Sequence, residues 1–337
     1  MRRDLLRARN WIRGLVLAVV TMLGVVAIVG SGGGGSLGFP DCGWPCDEPP
    51  PPTINIQPPY LTALVGSPVV FKAEASNSDS GRLYQWSRSV DGGRTYMDIV
   101  GATGPSYSIA AVNLGDDGAM FQVKVPGMPL AQPAVSHLAV SATPGVVYED
   151  GDFQPADWIV LPIVGSNPIR PEHSEERIDS GGNPGAFRKM VFGIPQGTGS
   201  GYVAYLSLSS TFDPDAQGAV YVIDYAEDCT SLLRNGSGAM FTESDLVIEQ
   251  GGRTYLSDVI TPICVQPTWR GVASRSSLRA QDFRLFDGPA CGAVEACPDF
   301  TASGLPMRFG YLRTVFGVPG DSITHGIDNW KVTVWRR

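Results

Sequence analysis

Trp330-Lys331-Val332-Thr333-Val334 alternates large apolar residues with polar ones at a period of two, and three of its five residues are β-branched. That spacing puts one row of side chains on each face of an extended chain and predicts a half-buried β-strand. Runs of the same kind recur upstream: Val69-Val70-Phe71-Lys72-Ala73, Phe121-Gln122-Val123-Lys124-Val125, Tyr202-Val203-Ala204-Tyr205-Leu206 and Ala219-Val220-Tyr221-Val222-Ile223. Gly, Pro, Asn and Asp separate them, and no helical period appears beyond Thr53. The chain after Thr53 is therefore predicted to be all-β, built as sandwiches or barrels.

Composition narrows the class. The 337 residues carry a formal charge of −8, and five arginines sit in the first thirteen residues, so the remainder is more acidic still. An acidic chain is a poor partner for nucleic acid. A hydrophobic content of 43% supports a sizeable core, and the length outside the leader suggests two domains.

At the amino end, Arg2, Arg3, Arg7, Arg9 and Arg13 precede an apolar run from Gly14 to Gly30, which ends Ile28-Val29-Gly30-Ser31 before four glycines. This resembles a bacterial lipoprotein signal with Ser31 in the place of the lipidated cysteine. Thioether lipidation needs a sulfur nucleophile, so Ser31 cannot carry the lipid. Residues 1–30 then read either as a signal peptide cleaved near Val25-Val26-Ala27 or Gly30-Ser31, or as an uncleaved anchor at the short limit for spanning a membrane. Both readings export everything beyond Ser31, to the periplasm or cell surface. Residues 31–53, glycine-rich and then Pro49-Pro50-Pro51-Pro52, form a linker, read as a stalk or as a plain tail.

The cysteines agree with export. All six, Cys42, Cys46, Cys229, Cys264, Cys291 and Cys297, follow the leader, and an even set in an oxidising compartment reads as disulfides. Proximity favours Cys42 with Cys46, Cys291 with Cys297, and Cys229 with Cys264. Neither short spacing is followed by the second ligand pair that zinc needs.

In residues 54–142, Gly66-Ser67-Pro68-Val69-Val70-Phe71 enters a strand, Tyr84-Gln85-Trp86 centres an indole in another, and Asp116-Asp117-Gly118 turns into Met120-Phe121-Gln122-Val123. This order resembles the immunoglobulin-like modules of bacterial envelope proteins, with Asp91-Gly92-Gly93 as a hairpin turn. The resemblance implies a sandwich with Trp86 in its core. Ala73 and Val123 stand where the intersheet cysteines would be, so Trp86 is expected to pack on aliphatic side chains.

Residues 145–337 open Tyr148-Glu149-Asp150-Gly151-Asp152-Phe153, with Asp157-Trp158 soon after, and close His325-Gly326-Ile327-Asp328-Asn329-Trp330. These ends resemble the jelly-roll (concanavalin-like) sandwiches of lectin-like and carbohydrate-binding-module superfamilies. The resemblance implies that the first and last strands lie side by side, bringing Glu149 or Asp150 near Asp328. Clustered oxygens suit a hard cation. Glu149, Asp150, Asp152 and Asp328 are thus either ligands of a structural calcium or turn residues facing water. His325, beside Asp328, reads either as half of a site pair or, by preference, as a histidine in a solvent-facing loop.

Val222-Ile223-Asp224-Tyr225-Ala226-Glu227 resembles the active strand of laminarinase-type glycoside hydrolases, but Val222 replaces the nucleophile, and hydrolysis needs two carboxylates. Asp224 and Glu227 are read instead as strand-end polar residues. The chain lacks a Gly-x-Ser-x-Gly elbow and a phosphate loop. Sugars offer apolar ring faces and hydroxyl edges, which aromatic and amide side chains recognise. Trp269, Trp158 and Tyr205 are the aromatic candidates, Trp330 is also available, and Trp269, in a turn-rich stretch, is the one expected to be exposed. The expected function is non-enzymatic: an exported envelope protein whose immunoglobulin-like spacer presents a jelly roll that binds carbohydrate or another surface ligand. The alternatives are a structural or protein-contact envelope component, or a divergent hydrolase acting through Glu227.

Overall fold

The computed structural model describes residues 53–76, 83–125, 133–161, 173–194, 200–236, 241–257, 268–286, 288–289, 291–292 and 297–337. The leader, nearly all of the linker, Cys42, Cys46 and Cys264 lie outside the described residues. The described chain is all-β, as two sandwiches in series.

The first holds strands β1 (Ile54–Gln57), β2 (Tyr60–Leu64), β3 (Val69–Ala75), β4 (Gln85–Ser89), β5 (Met97–Asp98), β6 (Ser106–Ile109), β7 (Met120–Lys124) and β8 (Ala134–Ser141). One sheet runs β1-β3-β6 and the other β2-β8-β7-β4-β5. The chain crosses from the first sheet to the second between β1 and β2, so β1 lies antiparallel to β3 and β2 parallel to β8. This is an immunoglobulin-like pattern. Alternation sets the faces: Val69, Phe71 and Ala73 of β3 point inward while Val70, Lys72 and Glu74 face out.

Trp86 is fully buried, and its indole N–H donates to the Gly104 carbonyl at 3.0 Å. Ala73 and Val123 are buried as expected, and Trp86 shares a mainly aliphatic core with them, joined by the rings of Phe71 and Tyr107. Phe71 of β3 stacks on Phe121 of β7 across the two sheets at 4.7 Å, and Tyr107 lies 6.1 Å from Trp86 and 5.6 Å from Phe121. Ala73 and Val123, at the positions expected of an intersheet bridge, sit two residues along each strand from this stacked pair. Asp91-Gly92-Gly93 makes the predicted turn between β4 and β5, with both glycines at positive φ (73° and 84°) and the Asp91 carboxylate accepting from Thr95 N–H and Oγ1–H and from Ser89 Oγ–H.

The second sandwich holds β9 (Val146–Asp150), β10 (Trp158–Val160), β11 (His173–Gly182), β12 (Gly185–Gly193), β13 (Ser200–Phe212), β14 (Val220–Asn235), β15 (Phe241–Gln250), β16 (Arg253–Ser257), β17 (Arg270–Leu278), β18 (Phe283–Leu285), β19 (Met307–Phe316) and β20 (Ser322–Arg336). One sheet has the order β10-β13-β19-β15-β16-β18. The other runs β11-β12-β20-β14-β17, with β9 added beside β20. The first and last strands are neighbours as expected: Asp150 pairs with Trp330 and Val146 with Val334. A one-turn helix, Pro214–Gln217, is capped by the Asp213 carboxylate. Cys291 and Cys297 form the disulfide that their spacing suggested, with Cα atoms 4.9 Å apart. Cys229 is also disulfide-bonded.

The interior corrects several expectations. Trp158 (6% exposed), Tyr205 (0%) and Trp330 (1%) are core residues, not ligand platforms. The reason is Arg188, which is itself buried. Its guanidinium lies 5.5, 5.1 and 5.2 Å from the ring centres of Phe153, Trp158 and Tyr205, and it donates to the Tyr311 hydroxyl at 3.3 Å. The rings thus already hold a cation, one supplied by the chain.

Glu227 and Asp224 are not strand-end residues either, since both lie well within β14. Glu227 points between the sheets and pairs with Arg313 at 2.9 Å, both side chains being wholly buried. Tyr225 Oη–H donates to the Glu227 carboxylate and Arg313 donates to Ser244 Oγ. A carboxylate enclosed in this way cannot protonate a glycosidic oxygen. His325, expected in a solvent-facing loop, is a fully buried residue of β20 beside the Phe192 ring. Burial, with Arg313 and Arg234 adding to it, holds its imidazole down to about 3, so the ring is neutral.

Breaking a buried ion pair by removing one partner leaves an uncompensated charge in low dielectric. Glu227→Gln is therefore expected to destabilise the second sandwich by about 3–5 kcal/mol, measured by urea unfolding. A loss under about 1 kcal/mol would mean that the pair is hydrated in solution.

Candidate functional site

Of the aromatic candidates, Trp269 alone is not in the core. It precedes β17 and lies half-buried on the outer face of the sheet that contains β20. Gly326 of β20 makes room for it. A Cβ at that position would come within 2.8 Å of Trp269 Cη2 and 3.0 Å of Phe187 Cδ2. Phe187 of β12 stands edge-on to the indole, with ring centres 5.2 Å apart at 77°. The indole N–H donates to the Gly181 carbonyl at 2.6 Å, tying the ring to the β11–β12 turn.

That turn brings polar groups to the same face. Asp228 of β14 lies directly opposite Asp328 of β20, an arrangement in which like charges repel. Four N–H donors offset the repulsion. The backbone amides of Asn183 and Asn329 donate to Asp328, and their side-chain amides donate to Asp228 at 3.0 and 2.6 Å. Asn329 takes up a left-handed conformation (φ 49°) where β14 and β20 slip register, which turns its side chain toward Asp228. The Asp328 carboxyl is pushed above the ordinary carboxylate range by burial, with Asp228 and Asp150 adding to the rise.

The four residues proposed for calcium do not converge. Glu149 faces solvent and pairs with Lys331 at 3.4 Å. Asp152 pairs with Arg177. Asp150 caps the turn after β9, accepting from the amides of Asp152 and Phe153 at 2.8 Å and from the Trp158 indole at 2.6 Å. The oxygens of Asp328 are taken by amide donors. Among the described residues, no group of three or more His, Cys, Asp or Glu side chains is placed to hold a metal ion.

Sequence reasoning missed Asp228, Asn183 and Asn329 as members of the patch. They meet Trp269 only through strand pairing and a turn distant in sequence. A second group, also missed, lies on β15. Asp245 is pushed up to about 7, mainly by burial, with Arg284 opposing the shift and Glu243 adding to it. Burial raises Glu243 as well. Among the described residues, β16 pairs with β15 from Val247 to Gln250.

No protein-family model and no curated protein matches the chain. Among solved structures, it is similar to the N-terminal four immunoglobulin domains of Dscam1 isoforms 4.44 and 7.44. Identity is 26% to each, over 27% of this chain and 21% of theirs, with TM-scores of 0.21 and 0.20. The chain thus spans about a fifth of the length of those structures. The immunoglobulin-like character of the first module rests on its own strand pairing.

A carboxyl raised in the folded state is protonated in both states below the ordinary value near 3.9, and it opposes folding increasingly as pH climbs to its folded value. Asp245 should therefore lower the thermal midpoint as pH rises from about 4 to about 7. The Asp245→Asn variant is expected to show a flatter profile and a higher midpoint at pH 8 than the parent. Superimposable profiles would show that Asp245 is hydrated.

Proposed function

We propose that this is an exported, non-enzymatic recognition protein of two modules, in which the outer face around Trp269 takes a carbohydrate. The observation that carries the reading is Trp269 itself: a half-buried indole on the outer surface, braced by Phe187 and beside the amides and carboxylate of Asn183, Asn329 and Asp228. An aromatic ring offers a sugar an apolar surface, and neighbouring amides and carboxylates match its hydroxyls. Export is supported by the arginine-flanked apolar leader and by the disulfides at Cys229 and at Cys291 and Cys297. Among the described residues, no helix is long and apolar enough to cross a membrane, and residues 14–30 lie outside them.

A second reading, a protein-contact component of the envelope, is favoured by the first module. Val90, Met97 and Val100, around the β4–β5 hairpin, are 72%, 75% and 100% exposed. Large apolar side chains grouped at a surface hairpin suit protein contact.

Glycan-array binding tests the first reading. Trp269→Ala is expected to weaken binding at least about tenfold, or about 1.4 kcal/mol, with the thermal midpoint retained. Trp269→Phe, which keeps a ring but loses the bond to Gly181, should fall between. A folded parent protein that binds no glycan would overturn carbohydrate recognition in favour of protein contact.

A further inference from the structure

The seam between the modules is built around one carboxylate. Ile223 of β14 pairs with Leu278 of β17, but Tyr225 pairs with Arg275, so β17 carries an extra residue opposite Asp224. The bulge leaves Ser277 in the left-handed region (φ 63°), a conformation that costs free energy outside glycine and persists where its surroundings enforce it. Here the enforcing contact is the Ser277 amide, which donates to Asp224 Oδ1 at 2.7 Å.

The same oxygen accepts a second bond, at 2.7 Å, from the hydroxyl of Thr62 in β2 of the first module. Ser277 Oγ lies 2.9 Å from Thr62 Oγ1 and donates to it, given that Thr62 has its proton on Asp224. Asp224 Oδ2 accepts from the Trp335 indole at 2.8 Å. Burial pushes the Asp224 carboxyl above the ordinary range against the pull of all three donors, as expected of a group held away from water.

Apolar and polar contacts frame this point. Ala139 of the first module packs with Tyr221, Val222 and Trp335 of the second. Ser141 Oγ donates to the Arg336 carbonyl at 2.8 Å. Tyr221 donates to the Asp117 carboxylate, while Arg279 and Arg337 lie 5.1 and 4.9 Å from its ring centre.

We infer that Asp224 is an inter-module latch: the bulge on β17 exists to aim Ser277 and Asp224 at Thr62, and the contact holds the two sandwiches as one body in a fixed orientation. A latch of this kind makes the first module a built-in wall of the second. It also predicts that continuity of the chain is not what keeps the modules together.

The test uses the full chain with a protease site introduced into the 142–145 connector. After cleavage, the parent fragments are expected to co-elute on gel filtration as a one-to-one complex. Thr62→Val keeps the shape of the first module but removes the donor, and should weaken fragment association at least about tenfold, as should Asp224→Ala. Ser277→Gly keeps the amide bond to Asp224 but loses the hydroxyl bond to Thr62, so its fragments should associate more weakly than the parent's yet more tightly than those of Thr62→Val. Parent fragments that separate freely, or Thr62→Val and Asp224→Ala fragments that hold as tightly as the parent's, would overturn the latch. Because Thr62→Val leaves the second module untouched, its outcome is read independently of any misfolding by Asp224→Ala.

Discussion

The last strand of the chain is the constraint on which the rest depends. β20 pairs with β14 along nearly its whole length on one side. On the other side, β12 takes its first half and β9 its second. A sheet organised this way cannot form until residues about 180 positions apart have met, which places its folding among the slower, non-local topologies. Once formed, it satisfies the strand's backbone groups on both edges and leaves its side chains to define both faces.

Those faces hold the functional features. Ile323, His325 and Ile327 point inward, then the bulge at Asn329 resets the register so that Trp330, Val332 and Val334 continue the inner face. Outward, Gly326 leaves space for Trp269 and Asp328 anchors the β11–β12 turn. At its end, Trp335 and Arg336 reach the seam with the first module. A single strand thus supplies part of the core, the candidate binding face and the inter-module contact. The interior it covers holds buried charge, with Arg188 among aromatic rings and Arg313 against Glu227. Such charges add little net stability over apolar packing, but removing one partner is costly.

How much could be read beforehand follows the range of each interaction. Strand period, the placement of Trp86, the Asp91-Gly92-Gly93 turn and the Cys291–Cys297 bridge are local and were legible. The adjacency of β9 and β20 came through the resemblance of the two ends, since no local signal encodes it. What failed was orientation. Trp158 and Tyr205 face inward because Arg188, on a different strand, fills the space between their rings. His325-Gly326-Ile327-Asp328-Asn329 has the composition of a loop, yet Gly326 is there for ring packing and Asn329 for a bulge. Glu227 and Asp224 read from sequence as strand-end polar residues, since Arg313 and Thr62 lie far along the chain; Thr62 is 162 positions from Asp224.

Amide hydrogen exchange along β20 tests this account most directly. If the strand is the shared spine of core, face and seam, amides from Ile323 to Val334 exchange together and only through global opening, at the slowest rates in the protein. Protection confined to the segment paired with β12, with rapid exchange from Trp330 onward, would show that the first strand and the seam are not held by β20 and would contradict the account.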